Sequence, residues 1–283
     1  MINVNDYGFN PEKHKDLLIN WIRDWYDSNS GGCKGPVVIG ISGGKDSSVI
    51  AGLCVKALGK DKVYGVLMPD GEQPDIEDSL KLVNSLAINY EIVDIQKAKN
   101  ALIDSVVCKA KQFYKKIADD HIDTTQANTN LPPRLRMATL YYISQILGGR
   151  VANTCNLSES MVGWETRWGD AVGDFSPLGK LTKNEVVAIG LEVPEIPRHL
   201  ILKEPSDGLC GKTDEDGLGF TYDELDALIR QNKVGDNYDT ILYKALKYNF
   251  KHIELPSYNP DNVYNFIKQK IYSDGLRKYI QNR

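Results

Sequence analysis

The residues best suited to chemistry form a short loop rich in glycine and serine. In order they are Gly40, Ile41, Ser42, Gly43, Gly44, Lys45, Asp46, Ser47 and Ser48. Glycines let a backbone approach an anion closely. Hydroxyls and the free N–H groups of a helix N-terminus donate hydrogen bonds to phosphate oxygens. The loop therefore predicts a phosphate-binding site.

The acidic residue inside this loop has two possible explanations. The order of residues is not the G-x-x-x-x-G-K-[ST] of a Walker loop, and Asp46 would repel a phosphate unless a cation lay between them. An alternative without any ligand is a glycine-rich helix start in which Asp46 caps the helix. We favour the phosphate site, because a strand pattern precedes the loop and a helical pattern follows it.

The elements that must position this loop alternate between strand and helix patterns. Runs rich in β-branched residues predict strands at 36–41, 63–68, 90–95 and 150–154. Apolar residues at helical spacing predict helices at 14–27, 47–58, 75–87, 97–117 and 132–147, then at 181–189, 222–231 and 239–248. This alternation predicts an α/β fold, a doubly wound parallel sheet with helices on both faces.

Three polar or glycine-rich segments interrupt the pattern and are predicted as loops, at 119–130, 158–179 and 203–220. Long loops within a compact fold are usually either functional or disordered. The second loop is rich in Trp, Asp and Arg, which favours function. We expect one domain over residues 1–283 with a helical C-terminal part.

Composition narrows the class of ligand. The 283 residues include 34 basic and 38 acidic side chains, for a net charge of -4, and 42% of residues are hydrophobic. These values exclude a wholly disordered chain, and they give no basic footprint for nucleic acid or an anionic membrane. An anionic ligand must therefore be held by a local site. The sequence shows no membrane-spanning run and no signal peptide, so we expect a cytoplasmic protein.

Six further blocks follow the loop in a fixed order. They lie at 134–137 (R-L-R-M), 153–159 (N-T-C-N-L-S-E), 163–170 (G-W-E-T-R-W-G-D), 177–186 (P-L-G-K-L-T-K-N-E-V), 203–209 (K-E-P-S-D-G-L) and 218–226 (L-G-F-T-Y-D-E-L-D). The loop resembles the S-G-G-x-D-S loop of enzymes that adenylate a substrate with ATP and release pyrophosphate. Together with the six blocks, the chain resembles the NAD synthetase family from about residue 17 to residue 256.

The resemblance implies a ligase that uses ATP and Mg²⁺ to convert the nicotinate carboxylate of deamido-NAD to a carboxamide. A carboxylate is a poor acceptor for a nucleophile, so an acyl adenylate forms first and ammonia then attacks it. The family's reaction needs no catalytic nucleophile, because positioning and electrostatics carry it. A homodimer is also implied.

By position in the motifs, the resemblance assigns three groups of residues. Asp46 and Glu159 match the metal ligands. The ATP-contacting positions are Gly40, Ile41, Ser42, Gly43, Gly44, Lys45, Asp46, Ser47, Thr154, Lys183 and Ser206. The positions that bind deamido-NAD are Arg134, Arg167, Asp174, Lys251 and His252.

Two of the blocks, and the pair at 251–252 that follows them, depart from the family pattern. Arg167 replaces a Lys, which keeps the charge and alters its geometry, and Lys251-His252 reverses an H-K pair. Asn153 stands where Gly is usual. Since Asn tolerates a left-handed backbone, we expect the turn there to be retained.

Other functions remain open at this point. GMP synthetase carries a similar loop, although the blocks at 163–170 and 218–226 point away from it. A nucleotide-sensing protein with an inactive site is a different class, although both acids are present. Because only 39 residues precede Gly40, a built-in glutaminase domain is not expected. Free ammonia is the expected nitrogen donor unless a separate subunit supplies it.

Overall fold

A computed structural model of the chain describes residues 3–29, 35–73, 76–114, 124–205 and 213–230. Within them, four parallel strands form one sheet in the order β3-β2-β1-β4. The strands are β1 (Val37–Gly40), β2 (Val63–Leu67), β3 (Asn89–Ile92) and β4 (Arg150–Val151). This arrangement confirms the predicted parallel α/β fold.

Ten α-helices lie in the described residues. They are α1 (Pro11–Asn29), α2 (Lys45–Leu58), α3 (Ile76–Leu86), α4 (Gln96–Tyr114), α5 (Thr125–Leu147), α6 (Leu157–Val162), α7 (Lys183–Leu191), α8 (Arg198–Leu202), α9 (Asp214–Leu218) and α10 (Tyr222–Ile229). No helix of this set is long and apolar enough to cross a membrane.

The helices cover the sheet on both faces, as the side chains of β1 illustrate. Val37 and Ile39 belong to the main hydrophobic core, to which α1, α2, α3 and α7 contribute. Val38, between them, packs on the opposite face with Ile143 of α5. Successive strand residues point to opposite faces, so a fully buried run such as Val37–Ile39 is what a sheet between two helical layers requires.

The sheet places a binding crevice at the end of β1. This strand pairs with β2 on one side, where Val37 is opposite Val63, and with β4 on the other, where Val37 is opposite Arg150. The chain therefore leaves β1 in the middle of the sheet, at the point where the strand order reverses. In open parallel sheets ligands bind outside the carboxyl ends of the strands at such a point, and the glycine-rich loop begins there.

The predicted loop at 119–130 is wrong from residue 125 onward. Helix α5 begins at Thr125, and Pro132 and Pro133 lie in its interior instead of in its first turn. A proline within a helix loses one backbone hydrogen bond and clashes with the preceding turn, so the pair was a reasonable helix start by sequence alone. Residues 115–123 of this region lie outside the described part of the chain.

Short helices also occupy segments that were predicted as irregular. Helix α6 overlaps the predicted loop 158–179 and begins one residue before it, and α9 lies within the predicted loop 203–220. Helix α8 lies in a stretch between prolines for which no element was predicted. Capping boxes at Asn156/Glu159 and Thr213/Asp216 start α6 and α9, and reciprocal capping stabilises helices too short for a visible apolar period. The predicted helix at 239–248 lies outside the described residues.

Candidate active site

The glycine-rich loop turns sharply between β1 and α2. Gly43 has a φ of 75°, and a Cβ there would lie 3.0 Å from the Ser79 hydroxyl, so the turn requires glycine. Ser42 and Ser47 face each other with hydroxyl oxygens 3.1 Å apart, and the Ser42 hydroxyl accepts from Gly44 N at 3.2 Å. Hydroxyls and backbone amides are therefore gathered at the N-terminus of α2, as phosphate binding needs.

Asp46 does not cap this helix. The N-cap of α2 is Gly44, which has no side chain to cap the helix. The Asp46 carboxylate instead accepts from Asn156 Nδ2 at 2.8 Å and from Lys183 Nζ at 2.7 Å. The helix-cap alternative is therefore wrong, and the acid is used in a tertiary contact.

A buried group of charges, Asp46, Glu159 and Lys183, forms what we call the charged centre. Lys183 Nζ lies 2.7 Å from Asp46 Oδ2 and 2.7 Å from Glu159 Oε1. The Lys183 side chain is 5% exposed, and its ammonium also lies 4.9 Å from the centre of the Tyr222 ring. The two carboxylates that the sequence assigned to a metal thus converge on one point.

Three helix N-termini build the charged centre. Asp46 is the second residue of α2, Glu159 lies in the first turn of α6, and Lys183 is the first residue of α7. The capping box of α6 fixes Glu159, because its Oε2 accepts from Asn156 N at 3.1 Å while Oε1 faces Lys183. Helix N-termini favour negative charge, so they stabilise the Asp46 and Glu159 carboxylates at this meeting point.

Burial and mutual charge shift the titration of this centre. Burial raises the pKa of Glu159 to about 8; the nearby Asp46 carboxylate adds to the shift, and the Lys183 ammonium opposes it. Burial alone would lower the pKa of Lys183, but Asp46 and Glu159 together raise it well above its usual value. Lys183 is therefore held as a cation where desolvation would otherwise remove its charge.

A cavity of about 530 Å³ opens onto the charged centre. Most of the residues assigned to ATP line it, namely Gly40, Ile41, Ser42, Gly44, Lys45, Asp46, Ser47, Thr154 and Lys183, together with the metal candidate Glu159. Its walls also come from β2, α5 and the 163–172 segment. The structure thus brings together the loop and five of the six blocks in a pocket large enough for a nucleotide.

Three residues assigned to deamido-NAD, namely Arg134, Arg167 and Asp174, do not line this cavity. We call these three residues the rim, because each lies within two residues of a lining residue. Arg134 Nε donates to the Arg167 carbonyl at 3.2 Å, and Asp174 Oδ2 accepts from Val151 N at 2.8 Å. All three rim side chains are exposed. Those of Arg134 and Asp174 bond to backbone groups, and the Arg167 guanidinium lies 5.2 Å from the centre of the Trp168 ring.

Three other assignments, Ser206, Lys251 and His252, lie outside the described residues.

Asn153 stabilises the turn after β4 through side-chain hydrogen bonds and not, as expected, through a left-handed backbone. Its φ is not positive, so the left-handed explanation is wrong. Its side chain accepts from Cys155 N and donates to the Asp170 carbonyl, both at 2.8 Å. The backbone of Gly173 packs so closely against it that a Cβ would lie 2.5 Å from Asn153 N. The Asn side chain therefore joins two loops at the edge of the cavity.

Several polar residues of the sequence blocks had no predicted role. Asn156 is fully buried and bonds both acids of the charged centre, through Asp46 Oδ1 and the backbone N–H of Glu159. Asp226, in the last block, is fully buried beneath α7. Polar residues inside motif blocks were the available signal, but only the fold reveals which of them meet.

Arg136 is a further cation on the cavity wall, and the sequence had assigned it no role. It lines the cavity, and its Nε donates to the Met68 carbonyl at 3.0 Å. Burial lowers its pKa, and the nearby carboxylates of Asp70 and Asp170 oppose that shift. Among the described residues no acceptor is bonded to its terminal nitrogens, so they are available to a ligand.

Comparison with known proteins gives consistent results. A model of the NAD synthase family matches residues 17–255. The chain is 35% identical over 274 residues to the NH(3)-dependent NAD(+) synthetase of Methanocaldococcus jannaschii, covering 95% of this chain and 97% of the relative. It is 37% identical over 221 residues to the enzyme of the same name from Pyrococcus furiosus, covering 78% of each chain.

Among solved structures, NMN synthetase from Francisella tularensis superposes with a TM-score of 0.74 at 30% identity, covering 86% of this chain and 94% of that one. The family match spans most of the chain and includes the phosphate loop, the charged centre and the cavity walls. On this basis, the chain belongs to the NAD synthase family.

Proposed function

We propose that this protein is an ammonia-dependent NAD synthetase. ATP adenylates the nicotinate carboxylate of deamido-NAD with release of pyrophosphate, and ammonia converts the acyl adenylate to NAD and AMP. The observation that carries the proposal is the convergence of Asp46, Glu159 and Lys183 beside the phosphate loop in one cavity, in a chain of this family.

The first step is a displacement at phosphorus. A carboxylate oxygen of the acceptor attacks the α-phosphorus of ATP, and the bond from that phosphorus to the bridging oxygen breaks, so pyrophosphate leaves. The backbone amides and hydroxyls of the loop bind phosphate oxygens. Lys183 supplies positive charge to the same region, and its raised pKa keeps it charged at neutral pH.

The second step is an acyl transfer to nitrogen. The lone pair of ammonia attacks the acyl carbon, the bond from that carbon to the AMP oxygen breaks, and one proton leaves the nitrogen to give a carboxamide. Walls from α5 and the 163–172 segment enclose the cavity. Enclosure limits the competing attack by water on the acyl adenylate.

The charged centre also fits Mg²⁺. This ion prefers one or two carboxylates together with phosphate oxygens and water. Asp46 and Glu159 are close enough to share one cation, since both bind the Lys183 ammonium at 2.7 Å, and Mg²⁺ would replace that ammonium as their partner. The remaining ligands would be nucleotide phosphates and water. When bound, Mg²⁺ would neutralise charge on the departing pyrophosphate.

We assign the acceptor to the rim side of the cavity. Arg134 and Arg167 offer two cations for a dinucleotide with an anionic pyrophosphate and a carboxylate, and their side chains are exposed. Asp174, Lys251 and His252 complete this assignment, and Ser206 is assigned to ATP, all by the family pattern. The rim residues keep a free face because their internal bonds are mainly to backbone.

A homodimer is also part of the proposal. Helices α4 and α5 pack side by side and expose Leu102, Val106, Tyr142 and Ile146, each at least 43% exposed. Adjacent exposed apolar side chains are typical of a surface covered by a partner. Ile146→Asp should give a monomer by light scattering, whereas Leu17→Asp, at an exposed apolar site on α1, should not change the mass.

Free ammonia is the proposed nitrogen donor. The curated relatives bear the words NH(3)-dependent in their names, and this chain spans 97% of the M. jannaschii protein. Turnover with ammonium should far exceed turnover with glutamine. Equal rates with the two donors would contradict this part of the proposal. A cytoplasmic location is proposed with it, and the free thiols of Cys54 and Cys155 are compatible with a reducing compartment.

One observation favours a second acceptor. The similarity to NMN synthetase from F. tularensis has a TM-score of 0.74, so nicotinate mononucleotide is the alternative substrate. The same adenylation and amidation would then act on a smaller acceptor, and the rim would bind one phosphate instead of a pyrophosphate.

One assay tests both candidates against a protein that only binds nucleotides. Pyrophosphate and amide product are measured with ATP, Mg²⁺ and ammonium, using deamido-NAD or nicotinate mononucleotide. We expect a higher kcat/KM for deamido-NAD. A preference for the mononucleotide would replace the first candidate by the second, and ATP binding without turnover on either acceptor would overturn both.

A further inference from the structure

Asp226 is a buried carboxylate that the reaction does not use directly. It lies in α10, is 0% exposed and does not line the cavity. It belongs to the block at 218–226, which the sequence analysis singled out and to which the proposed function gives no role. A buried carboxylate is costly unless it is fully hydrogen-bonded, so its partners deserve a functional explanation.

The partners of Asp226 are the immediate neighbours of two residues of the charged centre. Its Oδ1 accepts from the Ser158 hydroxyl at 2.5 Å, and Ser158 precedes Glu159. Its Oδ2 accepts from Asn184 N at 2.7 Å and from Asn184 Nδ2 at 2.8 Å, and Asn184 follows Lys183. One carboxylate therefore joins the N-terminal turn of α6 to that of α7.

A further bond closes the network. The Ser158 hydroxyl donates to Asp226 and accepts from Lys183 N at 3.0 Å. The backbone of Lys183 is thus bonded directly to Ser158, the residue before Glu159, and Ser158 is in turn bonded to Asp226. The Lys183 ammonium and the Glu159 carboxylate extend from these fixed points and meet at 2.7 Å.

On these grounds, and on the basis of the proposed adenylation, we propose that Asp226 is a positioning residue: it sets the separation of Lys183 and Glu159 through Ser158 and the first turn of α7, without touching substrate. Its negative charge at the N-terminus of α7 adds a favourable interaction with the helix dipole. Displacement of a reacting group by about 1 Å can cost roughly 10²-fold in rate.

A second contact between α10 and α7 provides a matched control. Arg230 follows α10, and its Nε donates to Glu185 Oε1 of α7 at 2.8 Å. Glu185 is 1% exposed, so loss of Arg230 also removes a partner from a buried carboxylate. This ion pair holds α10 on α7 but does not bond Ser158, Lys183 or Asn184. Arg230→Gln therefore reports what loosened helix docking alone does.

The kinetic experiment compares Asp226→Asn, Ser158→Ala, the double variant and Arg230→Gln at a temperature where all are folded. We expect kcat for pyrophosphate release to fall at least about tenfold in Asp226→Asn with a smaller change in the KM for ATP. The double variant should lose little more than the worse single variant, because the two residues act in one network. Arg230→Gln should keep kcat within about twofold although its melting temperature falls.

A readout independent of turnover separates this proposal from the proposed function. Amine-reactive labelling of Lys183, followed by peptide mass spectrometry, should be faster in Asp226→Asn than in the parent or in Arg230→Gln. Equal labelling in all three would overturn the positioning role even in an active enzyme. So would a kcat loss in Arg230→Gln as large as that in Asp226→Asn. Absence of activity in the parent protein would instead defeat the proposed function and leave the labelling comparison to decide this one.

Discussion

The charged centre and the rim are held in opposite ways. In the centre, Lys183 is bonded side chain to side chain with Asp46 and Glu159, and all three are largely buried. At the rim, Arg134 and Asp174 are exposed and bond mainly to backbone groups. Buried charges are strongly coupled and weakly screened, whereas exposed ones contribute little to stability.

This difference matches the two proposed roles, chemistry at the centre, which lines the cavity, and acceptor binding at the rim beside it. The geometry of the centre is set before substrate arrives, because its charges already satisfy one another. The rim has uncommitted charge that can adapt to a ligand. We therefore expect changes in the centre to affect both stability and chemistry, and changes at the rim to affect acceptor binding alone.

The largest effect is expected for Lys183→Met. It leaves Asp46 and Glu159 facing each other in a buried site without a cation, which should lower the free energy of unfolding by about 3–5 kcal/mol. Adenylation should fall roughly 10²- to 10³-fold. Chemical denaturation and pyrophosphate release measure the two losses. The control is Lys180→Met, at an exposed lysine three residues earlier, which should change neither stability nor rate. A Lys183→Met protein with parental stability and rate would contradict the distinction between centre and rim.

A large effect on chemistry with less effect on folding is expected for Asp46→Asn and Glu159→Gln. Each keeps the shape of its side chain but removes one carboxylate from the proposed metal site, so adenylation should fall by roughly 10²-fold. Asp24→Asn, at an exposed acid of α1, is the control. Normal pyrophosphate release from both variants would show that the convergence of the two acids serves packing instead of chemistry.

An intermediate effect is expected for the pH dependence of stability that Asp226 causes. Burial raises the pKa of Asp226 to about 6, above the ordinary value of about 4 for an unfolded Asp. Between pH 4 and 6 the folded protein binds more protons than the unfolded one, so stability falls as pH rises through this window and is constant above it. Titration of Asp226 should lower the free energy of unfolding by up to about 3 kcal/mol across this window.

The measurement is the difference in unfolding free energy between parent and Asp226→Asn at several pH values. The parent should lose stability relative to the variant from pH 4 to 6, because the amide does not titrate. Other buried acids titrate in both proteins and cancel in the difference. A difference that is independent of pH would mean that Asp226 has an ordinary pKa.

The smallest effect is expected at the rim. Arg134→Ala and Arg167→Ala each remove one exposed cation, so the KM for the acceptor should rise roughly five- to tenfold, about 1 kcal/mol per charge. The KM for ATP and the melting temperature should stay unchanged. Arg198→Ala, at an exposed site on α8, controls for net charge. A larger loss of stability than in Lys183→Met would reverse the comparison.

Local patterns were sufficient for the framework of the molecule. The apolar run Val37–Ile39 predicted its strand, and the spacing of apolar residues in α2 and α3 predicted those helices. Such predictions succeed because the pattern of buried residues in a strand or an amphipathic helix is visible in the sequence. The glycines at 43 and 44 located the loop, since a φ of 75° at Gly43 is a local requirement.

Short capped helices were not predictable in the same way. Helices α6 and α9 have six and five residues, too few for a period, and Pro132 and Pro133 mimicked a helix start inside α5. In each case long-range packing or capping overrides the local propensity. These misses matter because α6 carries Glu159.

The sequence by itself determined the framework, the position of the glycine-rich loop and, through its ordered blocks, the family. Only the tertiary structure decided which residues meet. Asp46 and Lys183 are 137 residues apart, and their contact depends on the N-termini of α2 and α7 reaching the same edge of the sheet. The roles of Asn156 and Asp226 likewise follow from burial against distant partners. A residue's type and spacing specify what it can bond, but the partner is selected by the packing of elements far apart in the chain.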